Sequence, residues 1–189
     1  IAIAANIGRL IIMVILAGLV ISSLFSALVT LIKYVADPNN ILPVITFWLM
    51  GSFSSVTFKS LQIGAPLIII GVLILFFLRY RMNAMSLSND EAKSLGVNLP
   101  LTRSIIIISA AAITASVVAI CGVIGWVGLL IPHIARMLFG NDNRRVLPAS
   151  IVFGAEFMLI TDTIARCVSN AEIPVSILTA VIGAPVFII

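Results

Sequence analysis

Between Ser104 and Ala135 the chain runs for 32 residues without an aspartate, glutamate, lysine or arginine. As one helix rising 1.5 Å per residue that stretch would be about 48 Å long, well beyond a bilayer core of about 30 Å. One straight helix is therefore disfavoured. Gly122, Gly125 and Gly128 supply the break, so one span is expected to end near Gly122 and a shorter one, carrying Pro132, to run to about Gly140. The rest of the chain has the same character. Hydrophobic residues make up 61%, charged residues 10%, and mean hydropathy is +1.26, whereas a soluble domain is about a quarter charged. The fold class predicted is an all-α integral membrane protein, a polytopic helical bundle with about six spans. Residues 1–189 are read as one transmembrane domain.

From the start, Leu10 to Ile32 is a charge-free run bounded by Arg9 and Lys33, and Asp37 to Asn40 form a turn. Ile41 to Phe58 mixes Trp48 with serines and Thr57, which predicts a helix lying at the membrane surface. Leu61 to Leu78 crosses back. After the glycine break, Asn141 to Arg145 reads as a polar loop, with Pro148 near the start of a fifth span that ends about Val168 and contains Glu156 and Asp162. A polar turn at Ser169 to Glu172 precedes Pro174 and a sixth span. Ile1 is neither an initiator Met nor the start of a signal peptide, and the last span stops soon after Pro185, so the chain is expected to be cut from a longer protein at both ends.

Orientation follows from the basic residues. With Ile1 cytoplasmic, one side holds Arg9, Arg79, Arg81, Lys93, Arg103, Arg136, Arg144 and Arg145, and the other only Lys33, Lys59 and Arg166. That bias places the first set in the cytoplasm. It also explains the net charge of +4 without nucleic-acid affinity, and no nucleic-acid partner is expected. Leu42-Pro43-Val44 leading to Ile63-Gly64-Ala65-Pro66 is echoed by Ile173-Pro174-Val175 leading to Ile182-Gly183-Ala184-Pro185, the trace of a parallel transporter repeat.

The longest polar interruption, residues 79–103, is the candidate working surface. Ser88 and Glu91 have capping-box spacing, which predicts a short helix from Asn89, and Gly96 is placed to end it in the left-handed conformation. Asn98 with Pro100 signals a second short turn. The resulting knob carries Leu87, Ala92, Leu95, Val97 and Leu99, more apolar surface than a solvated connection needs. These residues either lie back on the bilayer and its helices or dock a cytosolic partner.

Little here points to catalysis. His133 is the sole histidine, Cys121 and Cys167 sit in apolar runs, and there is no phosphate-binding loop, zinc-protease or serine-hydrolase motif. No enzyme activity, metal or cofactor is expected, and energy must come from a gradient or a partner. Asp162 and Arg166, four apart on one helix, are placed to neutralise one another. Glu156 has no local partner and is read either as an interhelical hydrogen-bonding group or as a residue facing a water-filled path.

The run Gly125-Trp126-Val127-Gly128-Leu129-Leu130-Ile131-Pro132-His133-Ile134-Ala135-Arg136, followed by Leu147-Pro148, Gly154-Ala155, Asp162-Thr163-Ile164-Ala165-Arg166, Ile173-Pro174-Val175 and Gly183-Ala184-Pro185, resembles the signature of the FecCD family. Trp48-Leu49-Met50-Gly51-Ser52 and Ala92-Lys93-Ser94-Leu95-Gly96-Val97 resemble two further family motifs. These are permease subunits of bacterial and archaeal ABC importers for iron-siderophore, haem and cobalamin, and relatives also carry molybdate-type anions. The resemblance implies the second half of a ten-helix permease, from about its fifth helix, in the inner (plasma) membrane and in contact with its lipid. It implies that residues 80–103 form the coupling loop. Within it, the segment matching Leu87 to Leu101, including Glu91, Ala92, Leu95, Gly96, Val97 and Leu99, would form two short helices that dock on cytosolic ABC ATPase subunits. It also implies that Arg166 meets an extracytoplasmic substrate-binding protein, and that two permease subunits, a homodimer in the simplest case, surround the pathway. Glu156 stands where the family has an apolar residue. The alternatives are a proton-coupled secondary transporter titrating at Glu156 or Asp162, and an intramembrane enzyme built on His133.

Overall fold

The computed structural model describes residues 2–54, 56–87, 89–168 and 173–188. The described residues form eight helices and no strand: α1 (Ala2–Val35), α2 (Ile41–Leu49), α3 (Phe58–Ala84), α4 (Asn89–Ser94), α5 (Leu99–Cys121), α6 (Val127–Phe139), α7 (Asn143–Cys167) and α8 (Val175–Ile188). Four of them are long and apolar enough to cross a membrane, over Ile15–Val35, Phe58–Ala84, Leu99–Cys121 and Asn143–Cys167. With the shorter apolar helices α6 and α8 they account for the six runs read from the sequence.

The chain divides into two units, residues 1–46 and 47–189. In the first, α1 ends at the expected turn, where Asp37 organises the backbone. Its carboxylate accepts from the Asn39 N–H at 3.1 Å and from the Asn40 amide at 2.9 Å, and its carbonyl accepts from Leu42 at 3.0 Å. These two donors, Asn39 first, hold the carboxyl below its usual range.

In the second unit α3 and α5 are the central pair. Gly64 faces Ile120, and Gly71 faces Ile113 so closely that an added Cβ would stand 2.5 Å from its side chain. Seven residues forward on one helix match seven back on the other, so the two run antiparallel, and the missing side chains let the backbones approach. Several hydroxyl side chains inside the spans are satisfied locally. Ser116, Ser150, Thr161 and Thr163 each donate to the carbonyl four residues earlier at 2.7–2.8 Å, which removes the cost of a bare hydroxyl among hydrocarbon.

Several boundaries differ from the sequence reading. The predicted surface helix 41–58 is helical only to Leu49, because Gly51 takes a positive φ of 67°. The following span starts at Phe58, three residues early, because Thr57 and Ser60 form a reciprocal capping box. Asn143 to Arg145 are the first turn of α7 rather than a loop, since the Asp142 carboxylate accepts from the Arg144 N–H at 3.0 Å and caps the helix. The internal echo is not a structural repeat: its first copy is split between α2 and α3, while its second lies at the entrance to and within α8.

Candidate functional site

The polar interruption folds largely as its residues dictate. A six-residue helix starts at Asn89, as expected; Ser88 of the proposed capping box lies outside the described residues. Gly96 takes φ +73° and ends that helix, while the Val97 N–H closes back on the Ala92 carbonyl at 3.1 Å. The knob has one short helix, not two. The Asn98 side chain accepts from the Leu101 N–H at 3.2 Å and caps α5, which then runs without interruption from Leu99 to Cys121. Pro100, missing an N–H the first turn does not need, suits that start.

Ala92 is fully buried, and Val97 and Leu99 are half-buried, so these three fasten the knob to its own chain. Leu87 and Leu95 point away, Leu95 with 63% of its surface exposed, and Glu91 is exposed beside them. The apolar residues are thus divided between support and display.

The same end of the unit is held by a clasp that the sequence did not announce. Asn83, in the last turn of α3, donates its amide to the Asp142 carboxylate at 2.6 Å and accepts from the Asn143 N–H at 2.8 Å. One side chain therefore reads both the cap and the first residue of α7. It brings residues 83 and 142–144 together at one end, which agrees with the sidedness inferred from the basic residues. The Asn83 amide, and after it the Arg144 N–H, keep the Asp142 carboxyl below its ordinary 3.8. A lowered folded value means that the ionised cap contributes fully above pH 3.8, and the contribution is lost as pH falls through the folded value. Asn83→Ala removes the larger cause. Amide exchange at residues 142–146 should then accelerate at a higher pH than in the wild type; an unmoved acid midpoint would show that Asn83 does not hold the cap.

The opposite end is closed by backbone. The Ser52 N–H donates to the Cys121 carbonyl at 2.9 Å, the Val175 N–H to the Gly51 carbonyl at 3.1 Å, and the Ser176 hydroxyl to the Met50 carbonyl. Gly122 lies against the Trp48 carbonyl, and Trp126, at φ +66°, packs on Gly183. Just beside this knot the Arg166 Nε meets the Asp162 carboxylate at 2.9 Å, the pairing expected from their spacing. Arg166 remains 48% exposed, and exposed ion pairs stabilise little, so the pair orients the guanidinium more than it fastens the fold. Glu156 projects from the middle of α7 on an exposed face with Val152, Leu159 and Thr163, and among the described residues it has no hydrogen-bond partner. The interhelical bond considered for it is not made within the described chain.

Comparison with known proteins places this arrangement. The model of the FecCD transport family matches residues 1–189. The molybdate import system permease protein MolB of Haemophilus influenzae is 46% identical over 179 residues, covering 95% of this chain and 53% of that protein. The hemin transport system permease protein HmuU of Yersinia pestis is 34% identical over 184 residues, covering 97% of this chain and 54% of that one. A solved structure of a metal-chelate type ABC transporter in an inward-facing conformation superposes with a TM-score of 0.85 at 47% identity, over 91% of this chain and 56% of that one. The chain spans about half the length of the relatives it matches.

Proposed function

Because this chain belongs to the FecCD transport family, we propose that it is membrane-spanning permease sequence of an ATP-binding-cassette importer that passes a metal chelate, such as an iron(III)-siderophore, haem or cobalamin, across the inner membrane of a bacterium or archaeon. ATP is hydrolysed by separate cytosolic subunits, an extracytoplasmic binding protein delivers the cargo, and a second permease subunit, identical in the simplest case, completes the pathway. The observation that carries this reading is the knob at residues 87–99, in which Ala92 is buried for support while Leu95 is displayed. Among the alternatives, a gradient-driven transporter has no need of such an element, and the relatives named above give it no support. Identity of 46% to a permease named for molybdate import favours a second cargo class, a tetrahedral oxyanion.

In this reading closure of the ATPase subunits pushes on Leu87, Glu91 and Leu95. Ala92, Val97 and Leu99 pass the displacement into α5, and the Asn83 clasp passes it to α7. At the other end Arg166 offers a charge to an acidic group of the binding protein. The test is ATP-dependent uptake into proteoliposomes by the complete polypeptide with its ATPase and binding protein, using labelled iron-siderophore, haem, cobalamin and molybdate in parallel. Uptake of one of them only with ATP inside supports the reading and fixes the cargo; uptake driven by a proton gradient without ATP refutes it.

Arg166 allows a narrower test. A rim charge acts chiefly on association rate. Arg166→Glu is expected to slow docking of the binding protein on the order of tenfold at low salt, and much less at high salt, where charges are screened. Stopped-flow association at the two salt levels measures it; a salt-independent defect would assign Arg166 to the fold instead.

A further inference from the structure

We propose that Arg79, Tyr80 and Arg144 form a binding site for the phosphate of one anionic phospholipid. The Arg79 guanidinium lies 3.9 Å from the centre of the Phe76 ring and 5.1 Å from that of Tyr80, and the Arg144 guanidinium, from the first turn of α7, lies 4.7 Å from the same Tyr80 ring. One tyrosine thus gathers two cations from two helices, within about 10 Å of each other, roughly the Debye length at 0.1 M salt. Among the described residues neither cation forms an ion pair, and the Arg79 Nε is buried without an acceptor. The Asp142 carboxylate is turned to the Asn83 amide and the Arg144 N–H. The ring faces, and for Arg144 the nearby charge of Asp142, offset part of the repulsion between the cations; a bound anion would offset the rest.

Depth and the surface below select a lipid as its source. Arg79 stands five residues before the end of α3, about 8 Å short of it at 1.5 Å per residue. Its head folds back over Phe76, one turn deeper, instead of reaching for the helix end where a cytosolic protein would meet it. Phe77 and Leu73 continue the Tyr80 face at three and seven residues back, with 77% and 49% of their surfaces exposed. A head group on the two arginines therefore has an apolar stripe for its acyl chain directly beneath, and basic pockets between helices at the cytoplasmic leaflet suit anionic head groups.

The test uses the complete polypeptide in a neutral detergent, titrated with palmitoyl-oleoyl phosphatidylglycerol, with the matching phosphatidylcholine and with inorganic phosphate. Binding is read by native mass spectrometry and by exchange protection at residues 76–83 and 142–148. Phosphatidylglycerol should bind saturably, and Arg79→Gln with Arg144→Gln should weaken it by roughly tenfold to thirtyfold. Arg81→Gln with Arg145→Gln, which removes the same charge from neighbouring positions, should weaken it less than about twofold. Equal losses in the two pairs would make the attraction diffuse. Equal binding of phosphatidylcholine would make it apolar, and saturation by inorganic phosphate alone would take the ligand out of the bilayer; each result overturns the proposal. Should the double variant unfold, Tyr80→Leu keeps both charges but removes the ring that gathers them, and an unchanged affinity there overturns the proposal equally.

Discussion

Gly122→Ala is expected to prevent stable folding, whereas Gly140→Ala is expected to be tolerated at reduced stability. The two glycines have nearly the same backbone, φ 75° and ψ −167° at Gly122, φ 73° and ψ −161° at Gly140, and each ends a helix. That region is essentially closed to other residues, so alanine costs about 1–3 kcal/mol at either position from strain alone. Their surroundings separate them. Nothing lies within 4 Å of a Cβ at Gly140, but at Gly122 it would overlap the Trp48 carbonyl and stand 3.0 Å from the Gly51 Cα. Both obstacles are backbone, and Gly51 is itself tied to α8 through Val175, so they have no rotamer to change. Forced overpacking adds about 1–3 kcal/mol, enough with the strain to consume much of a marginal stability of about 5–15 kcal/mol. Yield of folded protein in membranes and the thermal midpoint in detergent measure the difference. Equal behaviour of the two variants would mean that the close approach at Gly122 is dispensable.

The second large effect is expected at the knob and rests on the importer reading. Leu95→Glu should abolish measurable association with the ATPase subunits while leaving the permease folded, because Leu95 is displayed and its neighbours Ala92, Val97 and Leu99 do the supporting. Loss of a central apolar anchor typically costs about 2 kcal/mol or more, roughly thirtyfold in affinity. A charge in place of the leucine adds desolvation to that. Gly96→Val approaches the same element through its backbone: at φ +73°, with open space around it, the valine strains only the cap. It should loosen the knob by about 1 kcal/mol or more and weaken coupling less than Leu95→Glu does. Co-purification with the ATPase and substrate-stimulated hydrolysis read both variants. Wild-type association by Leu95→Glu would remove the knob from the coupling pathway.

What the sequence disclosed and what it withheld divide along the reach of the interactions. The break at Gly122, the end of the short helix at Gly96, the Asx turn at Asp37 and the Asp162–Arg166 pair all depend on partners within a few residues, and local chemistry announced them. Thr57 with Ser60 and Asp142 before Arg144 were equally local; serine in place of the usual Glu at the third helical position, and a polar run that looks like loop, concealed them. The Asn83 clasp joins residues 59 and 60 positions apart. No spacing rule can find such a pair, and an asparagine near a helix end is unremarkable by itself. The division of the knob residues into buried Ala92 and displayed Leu95 was hidden for another reason: a six-residue helix is too short for periodicity to assign its faces. The split first copy of the internal echo shows the opposite error, in which similar letters across two different elements suggest a symmetry that the backbone does not have.

The knot that closes one end of the 47–189 unit also bears on the order in which the protein is made. Gly51 receives its partner from Val175, Met50 from Ser176, and Trp126 comes to rest on Gly183. Helices α3 to α7 therefore leave the ribosome with this end unfinished, the turn carbonyls of Met50 and Gly51 and the Trp126 indole still waiting for α8. Until then the translocon or bilayer must tolerate them, and only the arrival of the last helix turns a set of inserted segments into a closed bundle.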